Sequence, residues 1–151
     1  MARGEVPPTL GEQNVMALVR RHTEVFWNQG RLDLASELHT PDMVFHDADS
    51  PPLQGSDAYN QFVTMYRTAI PDLHFTVEDM FAVGDKVVGR WTCVGTHQGE
   101  LMGIPPTGKR VTTTGIDIFR IADGKIAEEW VNWSILSMLQ QLGVVPPMGG
   151  G

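Results

Sequence analysis

Two carboxylates in the C-terminal half are the residues best placed to do chemistry. Asp117 lies in the run Gly115-Ile116-Asp117-Ile118-Phe119, and Glu129 lies on the far side of an Asp123-Gly124 turn. An ionised carboxylate is costly to bury, so Asp117 either points outward or has a task. One strand face carries Gly115, Asp117 and Phe119 and the other Ile116, Ile118 and Arg120; alternation leaves both orientations open. A three-residue loop, Ala122 to Gly124, pairs Ile121 with Lys125 and sets Asp117 opposite Glu129, with Cβ atoms about 5 Å apart. Two carboxyls that close cannot both ionise easily, so one holds a proton near neutrality. That is a working acid–base pair. A two-residue loop sets Asp117 opposite Trp130 instead, and Glu129 is then a solvated neighbour of Glu128.

Other candidates surround this pair. His46 and Asp47 end a short strand, and alternation turns only one of them inward. His46 is the expected pocket residue; Asp47 is the weaker candidate, because Asp before a Ser/Pro cluster is common turn chemistry. His97 precedes a Gly/Pro-rich loop, where a neutral imidazole can hold a carbonyl oxygen or pass a proton, or can simply pin the loop. His22 and His39 are expected in helix packing or at the surface. Phe45, Met65, Trp91, Met102, Trp130 and Trp133 suggest an apolar cavity for a flat ligand, with ordinary core as the alternative. No zinc-type spacing and no nucleotide-binding glycine fingerprint occur, so neither a metal nor a cofactor is expected. The single Cys93 excludes an intramolecular disulfide.

The elements that must position these groups follow from period and punctuation. Thr9 and Glu12 have capping-box spacing ahead of Val15, Leu18, Val19, His22 and Phe26, which recur at helical intervals up to Gly30. A short second helix covers Leu32 to Leu38, and Pro41 ends it. Met43 to His46 reads as a strand. A third helix opens at Ser56 as N-cap and carries Tyr59, Phe62, Val63 and Tyr66 on one stripe. The period then becomes two, which predicts strands over 73–82, 86–98, 109–121 and 125–133 with turns at Gly84-Asp85 and Asp123-Gly124. Ser134 starts a last helix, to Leu142. Helices segregated from antiparallel strands define an α+β fold, and long strands curl into a cone that the helices close.

The 151 residues suggest one domain over 9–143, with loose ends at 1–8 and 144–151. A charged fraction of 19% with 42% hydrophobic residues fits a soluble globular chain. A net charge of −7 argues against a nucleic-acid surface. No apolar run reaches the roughly 20 residues of a membrane helix, and no secretory signal is visible, so a cytoplasmic location is expected. The expected partners are a small hydrophobic ligand and a second copy of the chain, the latter covering Val88, Ile116 and Ile118 if they face outward.

Three stretches carry a family resemblance: FWNQGRLDLASELHTPDMVFHD, PDLHFTVEDMFAVGDKVVGRWTCVGTHQGELMGIPPTGKRV, and GIDIFRIADGKIAEEW with MLQQLG. They resemble the nuclear transport factor two-like fold, in its SnoaL-like polyketide cyclase (ester cyclase) branch. The resemblance implies a cone-shaped, curved antiparallel sheet with a mixed edge, wrapped around helices. It implies a cofactor-independent enzyme moving a proton α to a carbonyl on a polyketide-like or steroid-like substrate, as a cyclase or isomerase. Asp117 matches the protonated Asp that donates to an oxyanion in the distant ketosteroid isomerases, Asp47 matches their base, and His97 matches a pocket residue of the cyclases. The pattern also departs from the family. Val131 stands where the cyclases carry their acid/base Asp, Glu129 where they carry a His, Ser134 where many relatives have Asp, and Thr23 near the isomerases' helix-one Tyr. A non-catalytic binder of small hydrophobic ligands is the alternative. Epoxide hydrolysis ranks last, since it needs Arg90 or Arg120 to point inward.

Overall fold

The computed structural model describes residues 6–148. The capping box at Thr9 and Glu12 forms as expected and starts α1, Leu10–Arg21. The helix then widens into a π-helical segment, His22–Asn28, which turns His22 and Phe26 into the interior. Its C-terminal end is held by side chains. Arg67 donates to the carbonyls of Trp27 and Asn28, satisfying acceptors that a helix end leaves open. The Asn28 amide pairs with the backbone of Phe75 in both directions, at 2.9 and 2.8 Å.

A 3₁₀ turn, Leu32–Leu34, leads into the one-turn α2, Ala35–Leu38. The first strand is longer than expected: β1 runs His39–Asp47 and contains Pro41. Its ladder with the last strand is interrupted between His39 and Val44, so the missing N–H of Pro41 falls where no ladder bond is made. After β2, Leu53–Gln54, the helix α3 spans Ser56–Ala69. Ser56 does not cap it. The N-cap is Gly55 at φ 91°, with no side-chain cap.

The strands β3 (His74–Val83), β4 (Lys86–Thr96), β5 (Arg110–Ala122) and β6 (Lys125–Trp133) form an antiparallel meander, and α4 covers Ile135–Gln141. The sheet order is β2-β1-β6-β5-β4-β3. Only β1 and β6 run parallel, which makes the mixed edge. The sheet curls around α1 and α3, and the main core lies between them with Phe26, Leu38, Met43, Tyr59, Val63 and Ile126 fully buried. A second cluster, including Leu101, Val111 and Met138, closes the end under α4. The chain after α4 is tied back, with Val144 N–H donating to Leu139 O and Gln140 Nε2 to Pro146 O. The expected loose ends otherwise fall partly on 1–5 and 149–151, outside the described residues. No helix among the described residues is long and apolar enough to cross a membrane.

The β5–β6 hairpin decides the geometry of the acid pair. Asp123 and Gly124 both have positive φ, 53° and 73°, the signature of a tight type I′ turn. A bulge at Ala127 follows, so that Ile121 pairs with Ile126 but Arg120 pairs with Glu128. Neither expected register therefore holds: Asp117 lies opposite Val131 and Glu129 opposite Phe119. Both carboxylates face inward all the same, as diagonal neighbours whose side chains stay within reach.

Candidate active site

Burial alternates strictly along β5. Val111, Thr113, Gly115, Asp117, Phe119 and Ile121 face the interior, while Ile116 and Ile118 stand 50% and 40% exposed. Asp117 thus faces inward with Val111, Phe119 and Ile121, whose burial fixes the parity of the strand. It retains 8% of its surface and Glu129 only 3%, and both border an apolar cavity between sheet and helices. The cavity has a volume of about 100 Å³ and is not closed off from solvent.

Trp91 Nε1 donates to Asp117 Oδ1 at 2.8 Å. That indole comes from β4 and crosses over Gly115, its direct partner across the ladder. A Cβ at Gly115 would run into the Trp91 ring and press on Trp133. Gly115→Ala is therefore expected to destabilise the fold by about 1–3 kcal/mol and to weaken the Trp91–Asp117 bond. Urea denaturation and tryptophan fluorescence check this.

Burial raises the Asp117 pKa to about 6. Burial, and then the charge of Asp117 beside it, push Glu129 well above the ordinary carboxylate range. Asp47, at the cavity mouth, adds negative charge that raises both. Both carboxyls are thus held above their ordinary range, and the charge of either one disfavours ionisation of the other. Hydrogen bonding from the neighbouring Glu129 carboxyl and then from the Trp91 indole favours the charged form of Asp117, against its expected part as a protonated oxyanion donor; Tyr59 acts in the same direction on Glu129. Glu129 Oε2 is buried without a hydrogen-bond partner, a setting that suits a neutral carboxyl.

The remaining expectations divide by strand parity. Phe45 and Asp47 line the cavity, and Trp133 Nε1 donates to Asp47 Oδ2 at 3.2 Å. His46 faces the other way, bonded to Glu128 at 2.7 Å and stacked on Trp130 at 5.3 Å. His46 and Trp130 are thus corrected from pocket to outer face, and Asp47 replaces His46 inside. Trp91 and Trp133 do line the cavity. Met65 does not, being 41% exposed on the outer side of α3; Met102 is exposed in its loop.

His97 is fully buried, but the cavity does not include it. Its Nδ1 receives the Thr107 backbone N–H at 3.2 Å, and its backbone bonds Lys109 and Gly108. It pins the Gly/Pro loop, as the structural alternative held. Arg120 pairs with Glu128 on the outer face, so it cannot serve an inward Asp-Arg-Asp set. Among the described residues no three His, Cys, Asp or Glu side chains gather as a metal site.

Sequence reasoning missed a buried polar chain next to Glu129. Tyr59 of α3 is fully buried; its hydroxyl accepts from Trp27 Nε1 at 2.9 Å and lies 3.3 Å from His22 Nε2. His22 Nδ1 lies 2.9 Å from His39 Nε2. His22 and His39 are both 0–1% exposed, so the surface placement considered for them does not hold. One signal was available: a Tyr on an apolar helical stripe must find a partner for its hydroxyl when buried.

A curled sheet closed by helices, with two buried carboxyls on the wall of an apolar cavity, is the architecture in which the family match falls. Residues 17–142 match the family of SnoaL-like polyketide cyclases, and the chain belongs to it. Among curated relatives, the aklanonic acid methyl ester cyclases DnrD of Streptomyces peucetius and DauD of Streptomyces sp. strain C5 are 32% and 33% identical over 134 residues. These alignments cover 83% of this chain and 88% and 80% of the relatives. The crystal structure of a protein from Jannaschia sp. CCS1, provisionally named a SnoaL-like polyketide cyclase, superposes with a TM-score of 0.88 at 23% identity. It covers 95% of this chain and 100% of its own, and it speaks for the fold alone. AclR of Streptomyces galilaeus, provisionally named a hydroxylase, superposes at 0.81 with 31% identity over 91% of this chain and 85% of its own.

Proposed function

We propose that this chain closes a ring in a polyketide-like ester by cofactor-independent acid–base catalysis. The observation that carries the reading is the Asp117–Glu129 pair, two buried carboxyls side by side on the wall of an apolar cavity; in the proposed cycle one starts ionised and the other protonated. The Asp117 carboxylate takes a proton from the carbon α to a carbonyl. The enolate carbon then attacks a second carbonyl of the same molecule, and a C–C bond forms. The oxyanion takes the proton of Glu129, and the proton now on Asp117 returns to Glu129. No electron is gained or lost, and the pair ends as it began. Asp47, held by Trp133 at the mouth, orients the substrate's polar edge. The absence of an acid at Val131 is offset because Glu129 reaches the same cavity from two residues earlier on the same face of β6.

The relatives' names supply the first substrate to try. With aklanonic acid methyl ester and no added cofactor, the protein is expected to yield cyclised product, resolved by chromatography, and in D₂O to place deuterium at the α-carbon. Saturable quenching of tryptophan fluorescence by that ester, and by other polyketide esters, with neither turnover nor exchange would instead establish a non-catalytic binder.

The same reading includes a homodimer. Phe81, Val88, Ile118, Trp130 and His46 are successive ladder partners and form one row across the outer face, with Phe81 53% exposed. The flanking rows hold Lys86, Arg120 and Glu128 on one side and Asp79 and Arg90 on the other. Charges of both signs beside an apolar stripe suit a two-fold copy of itself. Ile118→Glu is expected to give a monomer by sedimentation, and a wild type that is monomeric at every concentration overturns the dimer.

A further inference from the structure

The proton direction along the buried Tyr59–His22–His39 chain follows from its far end. His39 Nδ1 is buried and has no hydrogen-bond partner among the described residues. An orphaned buried N–H is rarer in proteins than an orphaned acceptor, so His39 carries its proton on Nε2. Burial holds the His39 pKa down to about 4, and burial followed by the neighbouring His39 lowers His22 as well, so both rings are neutral. His39 Nε2–H then donates to His22 Nδ1 across 2.9 Å. A neutral imidazole has one donor and one acceptor nitrogen, which puts the His22 proton on Nε2, facing the Tyr59 oxygen at 3.3 Å. Trp27 Nε1–H donates to that oxygen too. Two donors occupy the phenol's lone pairs, and its own O–H must point elsewhere. Glu129 sits between its ladder partners Phe45 and Phe119, whose rings pack on Tyr59 at 5.1 Å and on His22 at 5.6 Å, and Glu129 Oε2 is the buried acceptor with no partner.

We propose that His39 and His22 are positioning residues that aim the Tyr59 hydroxyl at Glu129, so that the carboxylate formed when Glu129 gives up its proton is met by a ready donor. No covalent bond changes along the chain; the rings keep their tautomers and only the Tyr59 O–H is used. The groups facing Glu129 are Asp117 from β5, Asp47 from β1 and Tyr59 from α3, and His22 is faced by His39 of β1 and Tyr59. Glu129 loses its proton in the step described above, so the proposal rests on that reading, but half of its test does not.

In ¹⁵N-labelled wild-type protein, the His22 and His39 rings are both expected as Nε2–H tautomers by NMR, with no substrate present. A proton on His22 Nδ1 reverses the chain and overturns the proposal, whatever the activity. In the cyclisation assay, Tyr59→Phe and His39→Phe should each lower kcat about tenfold, the scale of one hydrogen bond to a charged group. The double variant should fall no further than Tyr59→Phe alone, because His39 acts only through that hydroxyl. The alkaline limb of the rate profile should move to higher pH in both single variants, since Tyr59→Phe removes the donor to the Glu129 carboxylate and His39→Phe leaves that donor unaimed. Losses that multiply, or an unmoved alkaline limb, overturn the proposal. His39→Gln, whose amide can donate to His22, should restore most of the rate and serves in place of His39→Phe if that variant does not fold. Expected tautomers in a protein with no cyclisation activity leave the chain's direction standing and reject the enzyme reading instead.

Discussion

An Asp117→Asn variant is expected to fold and to lose ring-closing activity by 10²- to 10⁴-fold, the usual scale for removing a positioned base. The amide keeps the volume of the carboxyl, and its oxygen still accepts from Trp91, so the structural contact survives while the base does not. The wild-type rate should rise with pH as Asp117 ionises around pH 6. It should then level, and fall at alkaline pH as the high-lying Glu129 loses its proton. The variant lacks the acid limb. A variant that keeps its rate, or that unfolds with no specific change in turnover, assigns the Asp117 carboxyl to structure. Asp47→Asn is the control for the base: if it, and not Asp117→Asn, removes the acid limb, the base sits at the mouth.

Glu129→Gln should lose activity by a similar factor and yet become more stable. Its folded pKa lies above its unfolded value because burial disfavours the charge. As pH rises past about 4, the unfolded chain releases this proton first. The folded state then holds more protons than the unfolded state, so stability falls with rising pH. This contribution is fully present below the unfolded pKa and is lost as pH climbs through the folded one. Glutamine removes the dependence. The variant is expected to melt about 5 °C above wild type near pH 8, with the difference vanishing near pH 4. Calorimetry across that range measures it. A variant less stable than wild type at pH 8 means that the carboxyl contributes to the fold. Gained stability with lost activity is what a site kept strained for function gives.

How much of this was readable follows particular residues. The two-period runs and the Asp123-Gly124 turn announced β5 and β6 almost to the residue, because a type I′ turn has few sequences that fit it. The register did not follow, because Ala127 carries no mark of a bulge. The two-residue turn would set Trp130 opposite Asp117, and the single extra residue at Ala127 replaced it by Val131. The parity of β1 was misread for the same reason. One residue decides whether His46 or Asp47 faces inward, and the parallel pairing with β6 that fixes it joins segments about eighty positions apart. The alternation around Asp117 left both faces open, since Ile116 and Ile118 are as apolar as Phe119; the family resemblance pointed inward, and core contacts along the strand decide it.

The residue types, the helical and strand periods and the family motifs came from the chain alone, because local sterics and the burial of apolar surface act over a few neighbours. The meeting of Asp117 with Glu129, and the arrival of Tyr59, His22 and His39 from three other elements behind them, belong to the tertiary structure. Side chains separated by 37 and 17 positions come within hydrogen-bond distance only once the curled sheet has closed over the helices. It is the desolvation caused by that closure that turns ordinary carboxylates into a pair holding one proton.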